Sequence, residues 1–391
     1  MITRFLVAFR KNALLPFLSF VFAFFIGGII IVLSDPVIMG QLSSPGKFLT
    51  SAGSRIGNSY LAIFQGSIYD VNLARESGVF RGFYPLSETI VTAVPLLFAG
   101  LAVALAFRSG LFNIGAQGQF IFGAIGASYV GFAYELPPLI HVPLVLIVGI
   151  VLGGLFGGFV GLLKAKTGAH EVIVTIMLNY IASLFVLWLL KTQAFLRAER
   201  QDPIAPEVNS SAQLPKIFGG DLRLHFGIFI ALATTWFVWW LLTRSTIGFK
   251  FRAVGANSNA ARTAGISVPF VTTATMFISG GLAGLGGAVH LIGTENTLTA
   301  GIAGSIGFDA ITVALLGQAT PLGTLLGALL FGALQTGSRT LLSNTGTPSE
   351  IVQVIQALIV LFIATPMLLK RVFRLKNSVE SKTLTAKGWN G

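Results

Sequence analysis

Of the 391 residues, 54% are hydrophobic and only 10% are charged, against about 25% charged in an ordinary soluble domain. So few charges cannot solubilise a chain this long, which excludes a soluble globular fold. Cysteine is absent, which excludes disulfides and thiolate metal sites, and the placement of the net charge of +12 argues against nucleic acid as a partner.

In chain order, Leu14 to Ser34 has no ionisable side chain and is close to the ~20 residues a helix needs to cross the hydrocarbon core. Arg4, Arg10 and Lys11 precede it, as in a signal peptide. The run is too long for a signal core, and no small-x-small cleavage site follows Ser34-Asp35-Pro36, so it reads as a retained first span. Residues 35–85 form a long mixed outer segment, in which Ile56 to Ile68 predicts an amphipathic helix lying on the outer surface. Further apolar runs lie at about 86–107, 113–134, 142–163, 172–190, 226–243, 268–291 and 350–369.

The basic residues sit between these runs: Lys164 and Lys166; Arg244, Lys250, Arg252 and Arg262; Lys370, Arg371, Arg374 and Lys376. That is the pattern of cytoplasmic loops. The loop 191–225, with Glu199, Asp202, Glu207 and Asp221, falls outside. With both termini cytoplasmic the number of crossings is even. The stretch 306–341 must then break at Gln318-Ala319-Thr320-Pro321, because proline suits the first turn of a helix and disfavours helix at the residue before it. The expected fold is an all-α integral membrane bundle of about ten transmembrane helices. It forms a single domain over 1–391, with 370–391 as a cytoplasmic tail.

Glycines recur every four residues at Gly153, Gly157 and Gly161, at Gly154 and Gly158, and at Gly280 and Gly284. In lipid such spacing lets helix backbones approach closely. It serves either static packing or a sliding surface. Several uncharged polar residues also lie at membrane depth: Asn113, Gln117 and Gln119 on the third span, Thr175 and Asn179 on the fifth. Thr175 and Asn179 are four apart and share a helix face. A buried amide without a partner costs several kcal/mol in lipid (about 2–7). These groups therefore line a path for a neutral, hydrogen-bonding solute or lock helices to one another, and both readings stay open here.

The missing chemistry narrows the function. Pro45-Gly46-Lys47-Phe48 lacks the upstream glycine and the Ser/Thr of a nucleotide-binding loop, and Ile278-Ser279-Gly280-Gly281 reads as span packing. His141, His170, His225 and His290 have no metal-ligand spacing, so neither a metal nor another cofactor is expected. Glu88, Glu171 and Asp309 lie within a turn or so of span ends, which leaves no ion relay within the spans. A transporter with this sequence takes its power from a partner.

Four blocks then resemble ABC importer permeases of the nucleoside and simple-sugar superfamily. They are Arg108-Ser109-Gly110-Leu111-Phe112-Asn113-Ile114-Gly115-Ala116-Gln117-Gly118-Gln119, Glu171 through Tyr180, Ala253 through Ile266, and Gly307 through Gly317. The usual family form has Glu where this chain has Gln117. The second block is similar to the nucleoside (guanosine-type) branch. The resemblance implies a subunit that forms a solute path through Asn113, Gln117, Gln119, Thr175, Asn179 and Asp309, with Phe112 or Phe120 available to stack on a base. It also implies a cytoplasmic coupling loop, 244–266, that meets an ATPase through Gly255, Asn257, Ala260, Ala261, Arg262 and Gly265, with Asn257 capping a helix over Ser258 to Ala264. The implied partners are ABC ATPase subunits, a second permease subunit, an extracytoplasmic substrate-binding lipoprotein and membrane lipid. The implied place is the bacterial cytoplasmic membrane. ATP hydrolysis resides on the partner, so this chain is not itself an enzyme. The rival readings are the same machinery for a sugar such as ribose, and an ion-coupled secondary transporter.

Overall fold

The computed structural model describes residues 14–197 and 202–365. The basic clusters at Arg4 to Lys11 and Lys370 to Lys376, the tail 370–391 and Glu199 lie outside the described residues. The helices, in chain order, are α1 (Leu14–Leu33), α2 (Pro45–Ser67), α3 (Tyr84–Arg108), α4 (Ala116–Ala133), α5 (Pro138–Thr167), α6 (Glu171–Leu189), α7 (Gly227–Arg244), α8 (Thr246–Ala256), α9 (Ser258–Thr263), α10 (Val268–His290), α11 (Ile306–Leu316), α12 (Pro321–Thr345) and α13 (Glu350–Ala364). A two-stranded antiparallel ribbon pairs β1 (Ile204–Glu207) with β2 (Thr297–Thr299), Ile204 opposite Thr299. Among the described residues, six helices are long and apolar enough to cross a membrane: α3, α5, α6, α7, α10 and α12. Phe17–Leu33, α11 and α13 are shorter apolar helices.

The break predicted inside 306–341 is present. Helix α11 ends at Leu316, Gln318 and Ala319 take left-handed backbone angles (φ 52 and 49), and α12 starts on Pro321. Two consecutive non-glycine residues in that region are strained, and carbonyl contacts described below hold them. The third apolar run starts later than its hydropathy predicts. Residues 113–115 are not helical, and α4 begins at Ala116.

The chain divides into two compact units, one made of residues up to Thr92 and from Leu330 onward, the other of Ala93–Leu329. In the first unit the outer-segment helix differs from expectation. Helix α2 starts at Pro45 rather than near Ile56, and it packs among its neighbours instead of lying alone on a surface. Tyr60 donates its hydroxyl to the Phe24 carbonyl on α1, and the two rings lie 5.3 Å apart. A Cβ on Gly337 of α12 would lie 2.6 Å from the Ile63 carbonyl oxygen. The buried positions of α2 include Ala52, Ser59, Ala62 and Gly66. These small residues read as polar in a hydropathy scan, yet they are the ones that bring helices together in lipid.

The second unit is built on a glycine seam between α5 and α10. A Cβ on Gly153 would lie 2.5 Å from the Gly280 carbonyl oxygen, and one on Gly284 would lie 2.8 Å from Gly153 Cα. One on Gly157 would lie 2.9 Å from Gly280 Cα. Helix α4 joins the same seam, since Gly123 has its Cβ position filled by the Gly284 backbone. At one end of these helices His141 is fully buried. Its Nε2–H donates to the Val130 carbonyl at 3.0 Å, so Nδ1 accepts from the Ser211 hydroxyl at 2.8 Å.

The seam predicts a sharp contrast between two alanine substitutions. Gly284→Ala places a methyl against backbone that no rotamer change can move. It should lower the melting temperature of the detergent-purified chain by an amount consistent with overpacking, about 1–3 kcal/mol. Gly53→Ala faces open space and should leave the melting temperature unchanged or raise it slightly, because alanine favours helix.

Candidate functional site: two interrupted helices and an inner loop

Between the end of α3 and the start of α4 the chain leaves helical geometry for seven residues, Ser109 to Gly115. A helix that starts within a membrane protein exposes its first N–H groups, which need partners. Gly115, the residue before α4, has no capping side chain of its own. Two asparagines supply the partners from elsewhere. The Gly115 N–H donates to Asn113 Oδ1 at 2.9 Å. The Gly118 N–H donates across to Asn179 Oδ1 on α6 at 2.9 Å, while Asn179 Nδ2 donates back to the Ile114 carbonyl at 2.9 Å. Asn113 Nδ2 also donates to Gln119 Oε1 at 2.9 Å and to Ser279 Oγ on α10 at 2.8 Å. Ser279 in turn donates to the Ala102 carbonyl at 2.7 Å. Thr175 spends its hydroxyl on the Glu171 and Val172 carbonyls of its own helix.

The structure thus brings Asn113, Gln119, Thr175 and Asn179 to one place, and their polar groups meet protein groups there. Of the two readings that the sequence leaves open, this geometry is the helix-locking one. Ser279 is the partner that sequence reasoning missed. The available signal was a serine one turn beyond Thr275 at the edge of the glycine-rich part of the span.

The second interrupted helix, α11, meets the first at Gln117. Its Nε2 donates to the Gly304 carbonyl at 2.7 Å, and its Oε1 accepts the Gly307 N–H at 2.7 Å. An amide suits this place because it donates and accepts at once. A carboxylate accepts the Gly307 N–H equally well, but it cannot donate to Gly304 and would oppose that carbonyl. Asp309 lies one turn into α11, half-buried, and accepts from Ser305 Oγ at 2.7 Å. Phe308 beside it is 50% exposed. The far end of α11 is clamped by Arg108, whose Nε donates to the Ala319 carbonyl at 2.8 Å. This is the strained pair of left-handed residues noted above.

The basic loop 244–266 folds as α8 and α9. Asn257 Oδ1 accepts from the N–H groups of Asn259 and Ala260, both at 3.0 Å, and so caps α9, which ends at Thr263 rather than Ala264. Ala261 is buried, while Ala260, Arg262, Ala264 and Gly265 are exposed. Gly265 follows with φ 78, a conformation that favours glycine. A shallow groove of 460 Å³ runs between the two helices and is lined by Phe249, Ala253, Ala260, Ala264 and Ile266. Gly255 lies against the chain at Arg108 to Gly110, where a Cβ on Gly110 would come within 3.0 Å of Gly255 Cα.

At the start of α6, Glu171 pairs with Lys164 at 2.5 Å and accepts the Phe112 N–H at 3.4 Å. Elsewhere, His225 accepts the Gly227 N–H on Nδ1 at 3.1 Å and sits 3.3 Å from Thr294 Oγ1. Burial, reinforced by Arg223, pushes it down to about 4, so this ring is neutral at physiological pH. Among the described residues no group of three or more His, Asp or Glu side chains is placed to hold a metal ion.

Apolar helices of spanning length, two of the helices interrupted and pinned by buried amides, and a capped loop with small exposed residues define a multi-pass membrane transport subunit. The chain matches the family described as branched-chain amino acid transport system / permease component over residues 86–364, and it belongs to that family. It is 39% identical to the guanosine ABC transporter permease protein NupP of Bacillus subtilis, over 84% of this chain and 91% of that protein. It is 34% identical to the nucleoside ABC transporter permease protein NupB of Lactococcus lactis, over 77% of this chain and 85% of the relative. It is 33% identical to the glucose ABC transporter permease protein TsgB13 of Haloferax volcanii, over 74% and 78%. No solved structure matches the chain.

The Gln117 geometry yields a direct test. Gln117→Glu should lower the melting temperature of the purified chain at neutral pH, since the part-buried bond to the Gly304 carbonyl is lost, at a cost of about 0.5–1.5 kcal/mol.

Proposed function

We propose that this chain is one of two permease subunits of a bacterial ABC importer in the cytoplasmic membrane, and that it carries a nucleoside. The observation that carries the reading is its 39% identity to a guanosine permease along 84% of its length, with a family match that encloses every candidate site residue. ABC ATPase subunits would supply the energy. An extracytoplasmic lipoprotein would deliver the solute, and a second, different permease would complete the path.

Ten crossings follow if α1, α3 to α7 and α10 to α13 each cross once, with both termini in the cytoplasm. Helix α11 is 11 residues long, or about 16 Å, half of a ~30 Å hydrocarbon core. Its start at Gly307 then lies near mid-depth, where Gln117 ties it to the start of α4. Two interrupted helices that converge at mid-depth are a pointer to a transport site.

In this reading Asn113, Gln119, Thr175 and Asn179 shape the path by fixing the start of α4. Gln117 and Asp309 stand at its edge, and the exposed ring of Phe308 offers a stacking surface for a base. A neutral nucleoside suits a path that is polar but uncharged apart from Asp309. The glucose permease relative favours a second reading, in which the cargo is a simple sugar. On the inner side Asn257, Ala260, Arg262 and Gly265 form the surface that meets the ATPase, with Ala261 buried beneath them and Gly255 set back against Gly110 as part of the coupling route. The exposed small residues fit a cleft, and Arg262 offers a fixed charge to a carboxylate.

Two experiments test the reading. Cells that depend on this importer should take up labelled guanosine in an ATP-dependent way, with excess unlabelled nucleosides competing and excess ribose or glucose not competing; competition by the sugars alone would transfer the assignment to the second reading. Ala260→Trp keeps every charge and should reach the membrane normally while failing to co-purify the ATPase. Normal recruitment and uptake with tryptophan there would remove the coupling assignment.

A further inference from the structure

Three separate parts of the second unit converge on the seven-residue linker Ser109 to Gly115, and a fourth holds the residue just before it. The inner loop touches it at Gly110, where Gly255 of α8 meets backbone directly. The corner between α5 and α6 holds it at Phe112, through the N–H accepted by Glu171 and the Lys164 ion pair behind it. Helix α10 holds it at Asn113 through Ser279. The turn between α11 and α12 holds the residue just before it, Arg108.

We propose that this linker carries movement of the inner loop to the solute path, with Gly255 and Glu171 as positioning residues. The proposal rests on the reading that the inner loop meets the ATPase. Its physical basis is the absence of slack. Gly255 is separated from the α9 cap by one residue, so a force on α9 reaches Gly255 across a single extended residue, Asn257, which bonds back to the Ala253 carbonyl at 3.1 Å. From there it passes to Gly110 by backbone-on-backbone contact, with no side chain to yield. Gly110 is three residues from Asn113, at most about 11 Å of chain, and Asn113 and Gln119 fix the start of α4. Ser109, Gly110 and Leu111 bond back to the Ala106 and Phe107 carbonyls of α3, so a push at Gly110 is carried on by the residues after Leu111. Gln117, on the first turn of α4, then passes the movement to α11 through Gly304 and Gly307. The same displacement would strain the Glu171 bond to Phe112, which makes that bond the natural stop.

The test uses the complete importer with its partner subunits. Gly255→Ala is expected to retain ATPase co-purification and ATP hydrolysis but to lower the nucleoside imported per ATP hydrolysed by roughly tenfold, within the ~5–150-fold range of typical coupling energies. A spin label on Phe112→Cys, in this otherwise cysteine-free chain, should change its spectrum on addition of ATP, and Gly255→Ala should abolish that change. Should Gly255→Ala fail to assemble, Glu171→Ala takes its place. It removes the acceptor for the Phe112 N–H and should uncouple import in the same way as Gly255→Ala. Because Glu171→Gln keeps that acceptor, it serves as the control with coupled import retained. Import per ATP equal to that of the parent in the alanine variant overturns the proposal, as does an ATP-dependent spectral change that survives the substitution. Loss of the ATPase itself in Gly255→Ala also overturns it, because Gly255 would then belong to the docking surface. Normal import by Ala260→Trp, by contrast, is a failure of the docking reading, whichever way Gly255→Ala behaves.

Discussion

The contact on which the second unit depends is backbone against backbone, where α4, α5 and α10 meet through glycine. Lipid offers helices no hydrophobic reward for associating, so close approach and dispersion must hold them. Gly123, Gly153, Gly157, Gly280 and Gly284 provide that approach, with Cβ positions already filled by the facing chain. A wall made this way is stiff, because there are no long side chains in it to repack. Irregular backbone next to such a wall needs every N–H and C=O satisfied. Asn113, Gln117, Asn179 and Ser279 supply the groups that satisfy it.

The polar residues within the spans therefore have a structural duty whatever else they do. Asn179 completes the start of a helix to which it does not belong. Gln117 uses both ends of its amide to join two chain segments 187 and 190 residues away in sequence. Fixing the starts of α4 and α11 in this way leaves Phe308 exposed on α11, with Asp309 and Thr312 half-buried; under the proposed function this is the side that would line the solute path.

Much of this was legible in the sequence, for identifiable reasons. Glycine spacing depends only on local periodicity, so the α5–α10 seam could be read directly. The break before Pro321 came from a proline and from the parity of charged loops, both short-range signals. Asn257 announced its own cap. Long-range pairing was not legible. Whether Asn113 faces a solute or another side chain depends on Ser279, 166 residues away. The late start of α4 was hidden because Ile114 and Leu111 are apolar whether or not they are helical. The helix expected over Ile56 to Ile68 is present, but its start at Pro45 was not legible, because the polar and small residues of its first turns carry no hydropathy signal. Arg108 was quoted as part of a motif, but its clamp on Ala319 needed the fold.

The central claim is that the open face of α11 lines a nucleoside path. A single cysteine at Thr312, in a chain that has no other, tests it in the reconstituted importer with its partner subunits. The account predicts that a small, membrane-impermeant, water-soluble thiol reagent modifies the cysteine, and that guanosine slows the reaction while ribose does not. A cysteine modified only by lipid-soluble reagents, or at a rate that guanosine leaves unchanged, would contradict the account.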